Sequence, residues 1–373
     1  MNKHVVICGG GVIGCASAYF LSAAGLQVTV IESDGVGSGA SGAAAGILSP
    51  PVTSDAYDPL FEIKAVGFNL HEELSRTLPA TSGVQYGYSV TPRVMVPGTG
   101  TELKELMNRI SEVRGEEPSI TMLDPKTLAR ETGWIDKSKY GGAFLGEGAQ
   151  VDPYKFTLAL VAASEQQGAR FIAGRVDGIE VDAGTFKSVT VDDKTIAGDA
   201  CILSMGPWSR EASTWLNRTI PVRPLKGQII KAQPKEQLTH LTLINGSNYA
   251  ITRENGLLIL GTTEEDVGFD TSTTESAREE IVAFGLTFSS ALETADLVEQ
   301  TACLRPLSDD GRPIMGELIP RSNVFVSTGH GRNGILMSPA AGQAMSDLIQ
   351  KGETTLLDLS PFDPARFTSP VNP

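Results

Sequence analysis

The run from His4 to Ser33 constrains this chain more than any other stretch. Residues His4–Cys8 read as a short buried strand, 12–24 as a small-residue helix ending at Gly25, and 28–31 as a second strand. Between the first strand and the helix stand Gly9-Gly10-Gly11-Val12-Ile13-Gly14, which satisfy G-x-G-x-x-G. Such a match is weak alone. Set after a strand, ahead of a helix, and followed by Glu32 at the end of the next strand, it reads as a dinucleotide-binding βαβ unit. Gly9 permits the tight turn, Gly11 lets backbone approach a pyrophosphate, and Gly14 lets the helix pack on the strand. The helix N-terminus offers amides and a positive dipole to phosphates. Glu32 can accept hydrogen bonds from ribose hydroxyls and repels a 2′-phosphate, which argues against NADP. The competing reading is a glycine-rich turn of an unrelated α/β protein. The fingerprint by itself leaves NAD and FAD equally placed.

Two further glycine-rich stretches favour FAD. Residues 38–46, Ser-Gly-Ala-Ser-Gly-Ala-Ala-Ala-Gly, follow the ribose acid and would let backbone and hydroxyl groups continue along a longer cofactor. A flexible surface loop is the bland alternative. Residues 329–336, Gly-His-Gly-Arg-Asn-Gly-Ile-Leu, lie between a strand at 323–326 and a last helix at 335–350. A helix N-terminus there could face developing negative charge, and a reduced flavin carries such charge near N1 and O2. Arg332 sits in that junction and Arg305 lies just before Pro306. Arg332 reads most simply as a surface or capping arginine. If the two converged on one cavity, they could grip a carboxylate in bidentate fashion.

The rest of the chain mixes helices with strand-rich segments. Helices are expected at 58–78, 101–114, 125–131, 152–168 (capped by Asp152, with Pro153 at its first position) and 274–291. Strands are expected at 84–96, 170–181, 188–191, Ala200–Leu203 and 228–231, with a hairpin at 249–252 and 257–261. No repeat or linker separates two beads, so the nucleotide half is interleaved with the rest.

Net charge is −14, which repels nucleic acid and anionic membranes. Cys8, Cys15, Cys201 and Cys303 form no CxxC pair or disulfide framework, and four scattered histidines give no metal spacing. No metal is expected. No targeting segment or membrane span is read, which points to the cytoplasm.

Taken together these residues resemble the D-amino-acid oxidase superfamily of flavoproteins, and most closely its glycine oxidase branch. The matching pieces span the chain in order. They are residues 9–14 with Glu32-Ser33, then 41–47, Met205-Gly206-Pro207-Trp208-Ser209 and Pro224-Leu225-Lys226-Gly227-Gln228. Residues 249–253 with Gly261, Leu304-Arg305-Pro306 and 329–336 complete the set. The resemblance implies an α/β fold in which a Rossmann-like FAD-binding domain (1–50, 150–218 and 300–373) is interleaved with a substrate domain built on an antiparallel sheet (51–149 and 219–299). It implies that Val12 and Ile13 line the pyrophosphate turn and that Glu32 and Ser33 meet the ribose. Ala40, Ser41, Ala45, Gly46 and Ile47 would run from diphosphate to flavin, with Gly206 beside them. Val176 would hold the adenine through backbone. His330, Gly331, Arg332, Asn333, Gly334, Ile335 and Leu336 would wrap the pyrimidine side of the flavin. Tyr249, Arg305 and Arg332 are the expected catalytic positions, and Leu48 and Tyr57 candidate pocket walls.

Cys303 falls where sarcosine oxidases of the superfamily carry a cysteine linked to flavin, whereas the glycine oxidase type has glycine. A buried free thiol is the preferred reading, so FAD is expected to be non-covalent, with a link at Cys303 as the alternative. The strand at 257–261 lacks the lysine that sarcosine oxidases place near the flavin, leaving oxidase against dehydrogenase open. The reaction implied is oxidation of glycine, sarcosine or a D-amino acid by hydride transfer to flavin N5, then hydrolysis of the imine and reoxidation by oxygen. The rivals are a dehydrogenase passing electrons to a quinone or protein, an NAD enzyme, and a non-catalytic flavin-bound subunit. The expected partners are a small amino-acid substrate, oxygen or another acceptor, and further copies of the chain in a homo-oligomer.

Overall fold

Strand His4–Cys8 takes a central place because both of its faces are apolar: Val5, Val6, Ile7 and Cys8 are fully buried. In this computed structural model, which describes residues 3–51, 59–113 and 120–367, it belongs to a six-stranded sheet. The order is Ile314–Glu317, Val324–Thr328, Ala200–Leu203, His4–Cys8, Gln27–Glu32, Arg170–Ala173. Every neighbouring pair is parallel except the antiparallel pair of Ile314–Glu317 with Val324–Thr328. Val5 and Ile7 face helices Val12–Ala23 and Gly334–Lys351. These helices approach closely because Gly342 lies against Ala16, where an added Cβ would stand 2.6 Å from the Ala16 carbonyl carbon. Val6 and Cys8 face the three-stranded antiparallel sheet of Val176–Asp182, Thr185–Val191 and Lys194–Ala197.

A nine-stranded sheet forms the other layer. It runs Asp296–Ser308, Val222–Gln233, Leu258–Gly261, Asn248–Thr252, Thr242–Asn245, Ser89–Met95, Gly142–Gln150, Ile47–Leu48, with Thr121–Leu123 also on Gly142–Gln150. Its pairs are antiparallel apart from Thr242–Asn245 with Ser89–Met95. The α/β architecture with a nucleotide-type parallel sheet and an antiparallel partner is the one expected.

Several elements differ from the sequence reading. The two longest strands extend well beyond 228–231 and pair along their length, with Pro224 opposite Pro306. Prolines in a strand ordinarily demote it, which hid them. Gly142–Gln150 was hidden by Gly142, Gly146 and Gly148; at Gly148 an added Cβ would stand 2.6 Å from Arg93 Cδ, so glycine there makes room for a crossing arginine. The expected strand at 170–181 is two strands in different sheets, divided at Gly174 and Arg175. Only Ser89–Met95 of 84–96 is strand. Helix Phe61–Ser82 runs on past 78, while Asp58 and Arg114 lie outside the described residues. Thr274 caps helix Glu275–Leu286, and a 3₁₀ turn follows at Ser290–Thr294. Among the described residues no helix is long and apolar enough to cross a membrane.

Candidate functional site

A cavity of about 580 Å³ runs from Glu32, along the carboxyl ends of the parallel strands, to Arg305 on the antiparallel sheet. Its position outside those strand ends is where open α/β sheets bind ligands.

The Glu32 end is built from backbone. Gly9 has φ +108°, and an added Cβ would lie 2.4 Å from the Ser204 carbonyl oxygen. At Gly14 it would lie 2.0 Å from the Gly9 oxygen. Gly14 therefore packs helix on turn and does not line the cavity, whereas Gly9, Gly11, Val12 and Ile13 do. The Glu32 carboxylate is held by the Gly10 amide at 2.7 Å and the Asp34 amide at 2.9 Å. Ser33 and Val176 line the same end. The Val12 amide donates to Ser41 Oγ at 2.9 Å, tying the loop 38–46 to the helix start. Arg175 and Glu211 pair across this end at 2.8 Å.

Ala40, Ser41, Ala45, Gly46 and Ile47 continue the wall. Gly46 has φ +76°, with the place of a Cβ 2.0 Å from the Val151 oxygen. Arg253 grips this stretch, donating to Ala45 O at 2.6 Å, Val151 O at 2.9 Å and Gln150 Oε1 at 3.1 Å. Leu48 corrects the sequence reading. It is fully buried in the core under helix Phe61–Ser82, while Ile47 and Ser49 line the cavity. Tyr57 lies outside the described residues.

At the C-terminal junction Thr328 donates to the Gly206 oxygen at 2.9 Å, and Gly331–Asn333 form a 3₁₀ turn before the last helix. His330, Gly331, Arg332, Asn333, Gly334, Ile335 and Leu336 all line the cavity, as does Gly206. His71 donates from Nε2 to the Ile335 oxygen at 2.8 Å, and burial drives its pKa down to about 4. Burial lowers His330 to about 3, so it is a neutral imidazole; neither ring nitrogen has a partner among the described residues.

The far end is built from side chains. Arg305 is 9% exposed and donates to Thr262 Oγ1 at 2.6 Å and the Thr263 carbonyl at 3.2 Å, both neutral oxygens. Gly227, on the adjoining strand, makes room for it: an added Cβ would stand 2.0 Å from Arg305 Nη2. Tyr249 packs its ring on Gly261, its cross-strand partner. Burial, opposed by Arg305, pushes the Tyr249 hydroxyl up to about 12, so it stays protonated. Arg332 lines the cavity too, but donates to the Ser247 carbonyl at 2.5 Å and pairs with Glu264 at 3.4 Å. Cys303 is a free thiol, as expected, but stands at the cavity wall and is only partly buried; burial raises its pKa. Sequence reasoning missed Thr262, Glu264 and Arg253. The signal for the first two was a polar run starting directly after the buried strand Leu258–Gly261.

This cavity fits FAD. Backbone glycines keep open a cradle that a Cβ would fill, an acid stands at the ribose end, and unpartnered imidazole nitrogens stand by the far junction. A family model described as FAD dependent oxidoreductase (DAO) matches residues 4–348. The glycine oxidase of Pseudomonas putida KT2440 is 28% identical over 98% of this chain and 99% of its own. That of Geobacillus kaustophilus HTA426 is 28% identical over 98% of each. The crystal structure of glycine oxidase from Geobacillus kaustophilus superposes with a TM-score of 0.92 at 26% identity, covering 99% of this chain and 100% of that one. The cradle, the cavity and this end-to-end similarity agree: the chain belongs to the DAO family of FAD-dependent oxidoreductases.

Proposed function

We propose that this enzyme oxidises a small amino acid or secondary amine, such as glycine, sarcosine or a D-amino acid, at its α C–N bond, with oxygen as final acceptor. The observation that carries this reading is Arg305: a buried cation at the cavity wall whose hydrogen bonds go to neutral oxygens. A buried charge needs a counter-ion, and a substrate carboxylate supplies one. Thr262 and Thr263 fix the guanidinium, and Gly227 sets its depth. The protonated Tyr249 hydroxyl donates to the same carboxylate. FAD held along this cavity would supply the hydride acceptor, at its N5. The substrate amine enters neutral, because its lone pair must form the imine bond as hydride leaves. Among the described residues the Arg305 end of the cavity is lined by no carboxylate, and His330 there is neutral, so the side chains act by holding the carboxylate and orienting Cα. The imine then hydrolyses to an oxo acid and ammonia or an amine, while two electrons and two protons reduce oxygen to hydrogen peroxide.

We assign cofactor binding to 1–50, 150–218 and 300–373 and substrate binding to 51–149 and 219–299. Strand Asp296–Ser308 crosses that division, which is how Arg305 comes to stand on the antiparallel sheet yet face the cofactor cavity.

The test is anaerobic mixing of purified yellow enzyme with glycine, sarcosine, D-alanine and D-proline. Bleaching of the flavin band identifies the substrate, and peroxide release on admitting air identifies the acceptor. Arg305→Ala should keep its flavin spectrum while KM rises about 100-fold, the loss of a bidentate charge-assisted contact. Unchanged KM for a carboxylate substrate in that variant would overturn the assignment.

A further inference from the structure

The residues 262–265 manage both guanidinium groups at the far end of the cavity, and manage them differently. Thr262 and Thr263 give Arg305 neutral oxygens only. Glu264, the next residue, gives Arg332 a carboxylate at 3.4 Å. Glu265 turns away to Lys226, a buried ammonium that Asp270 also holds at 2.7 Å, so that acid is spent elsewhere. Tyr249 lies within the field of both arginines and stays protonated. Among the described residues the Arg305 end of the cavity therefore carries two cations against one anion, leaving a single positive charge, on Arg305.

We propose that Glu264 sets the substrate class by neutralising Arg332, so that the site accepts amino acids with one carboxylate and rejects those with a second acidic group. This rests on Arg305 being the carboxylate anchor. A monocarboxylate balances the unpaired Arg305. A dicarboxylate brings a second negative charge towards a guanidinium that Glu264 already pairs, so that charge finds no free cation at Arg332. Glu264 does not line the cavity. It acts through Arg332 and is a positioning residue, deciding whether that guanidinium is available.

Binding of unreactive anions to the FAD-loaded enzyme tests this without turnover. Calorimetry with glycolate (one carboxylate) and oxydiacetate (two carboxylates) should give wild-type enzyme binding glycolate about fivefold more tightly, the upper scale of one partly exposed charge pair. Glu264→Gln keeps the size and frees Arg332. It should tighten oxydiacetate about fivefold and leave glycolate within about twofold. Glu264→Asp, which restores the charge, should return the wild-type preference. An unchanged ratio in a Glu264→Gln variant with a normal flavin spectrum would overturn the proposal. So would wild-type enzyme that prefers oxydiacetate, a result needing no variant. If wild-type enzyme binds neither anion, it is the Arg305 anchor that fails; if it binds both and the ratio stays put, only the role of Glu264 fails.

Discussion

At the end of the cavity marked by Glu32 the wall is backbone; at the end marked by Arg305 it is side chain. The first end comes mainly from residues 9–14, 32–33 and 40–47, close in sequence. The second draws on Gly227, Tyr249, Thr262, Arg305 and Arg332, brought together only by the register of the antiparallel sheet and the last helix junction. A diphosphate is the same in every dinucleotide, so a fixed cradle of amides suffices to hold it. A substrate varies, and side chains on a stiff sheet can be exchanged without disturbing the frame.

The same small change at each end should break or sharpen that contrast most strongly. Gly14→Ala puts a Cβ 2.0 Å from a backbone oxygen that cannot step aside. FAD affinity should fall about 100-fold, read as a colourless preparation and a low ratio of 450 to 280 nm absorbance. Gly227→Ala puts a Cβ equally close to Arg305 Nη2, the mobile tip of a side chain. That variant should stay yellow and raise KM about tenfold or more. Colour loss in both would mean that the two ends are not separable.

Arg253 joins the two ends, since it directly follows strand Asn248–Thr252 of the antiparallel sheet and holds the carbonyls of Ala45 and Val151. Arg253→Met removes charge-assisted bonds worth about 1.5–3 kcal/mol apiece when buried, partly replaced by water. The expected outcome is FAD binding about tenfold weaker by fluorescence titration, with KM little changed. A change in KM alone would place Arg253 with the substrate.

The last effect concerns pH and is read as stability rather than binding. His71 and His330 are neutral in the folded chain, lowered by burial to about 4 and about 3, against about 6.5 unfolded. Below pH 6.5 the unfolded chain takes up protons that the folded chain refuses, so stability falls as pH falls. Each histidine adds a slope approaching ~1.4 kcal/mol per pH unit down towards its folded value. Thermal melts between pH 7 and 5 should show this decline, and His330→Asn, which leaves His71 in place, should roughly halve it.

How much of this was legible follows from the same contrast. The turn at 9–14, the acid at 32 and both later glycine stretches were readable because local spacing dictates them. Arg305 and Arg332 stood out by their places beside Pro306 and in the glycine-rich junction, but only family resemblance gave them and Tyr249 a role, since lone arginines and tyrosines carry no spacing. That Arg332 is paired with Glu264 was invisible, because the pairing needs the three-dimensional path after Gly261. Leu48 shows the limit within a strand. Its neighbour Ile47 meets the cavity, and one step along the chain turns the next side chain into the core.

The interleaved sheet also dictates the order in which this protein comes into being. Strand His4–Cys8 leaves the ribosome early, yet its neighbour, from Ala200 to Leu203, is made nearly two hundred residues later, with Val324–Thr328 later still. At ribosomal speeds of roughly 5–20 residues per second the wait for that first neighbour is on the order of 10–40 s. Throughout it, an apolar strand built for burial on both faces has only the neighbour Gln27–Glu32 beside it. Nascent chains are thus exposed to misassociation before any cofactor can seat, and yield in cells should depend on chaperone supply and on flavin being present when synthesis ends.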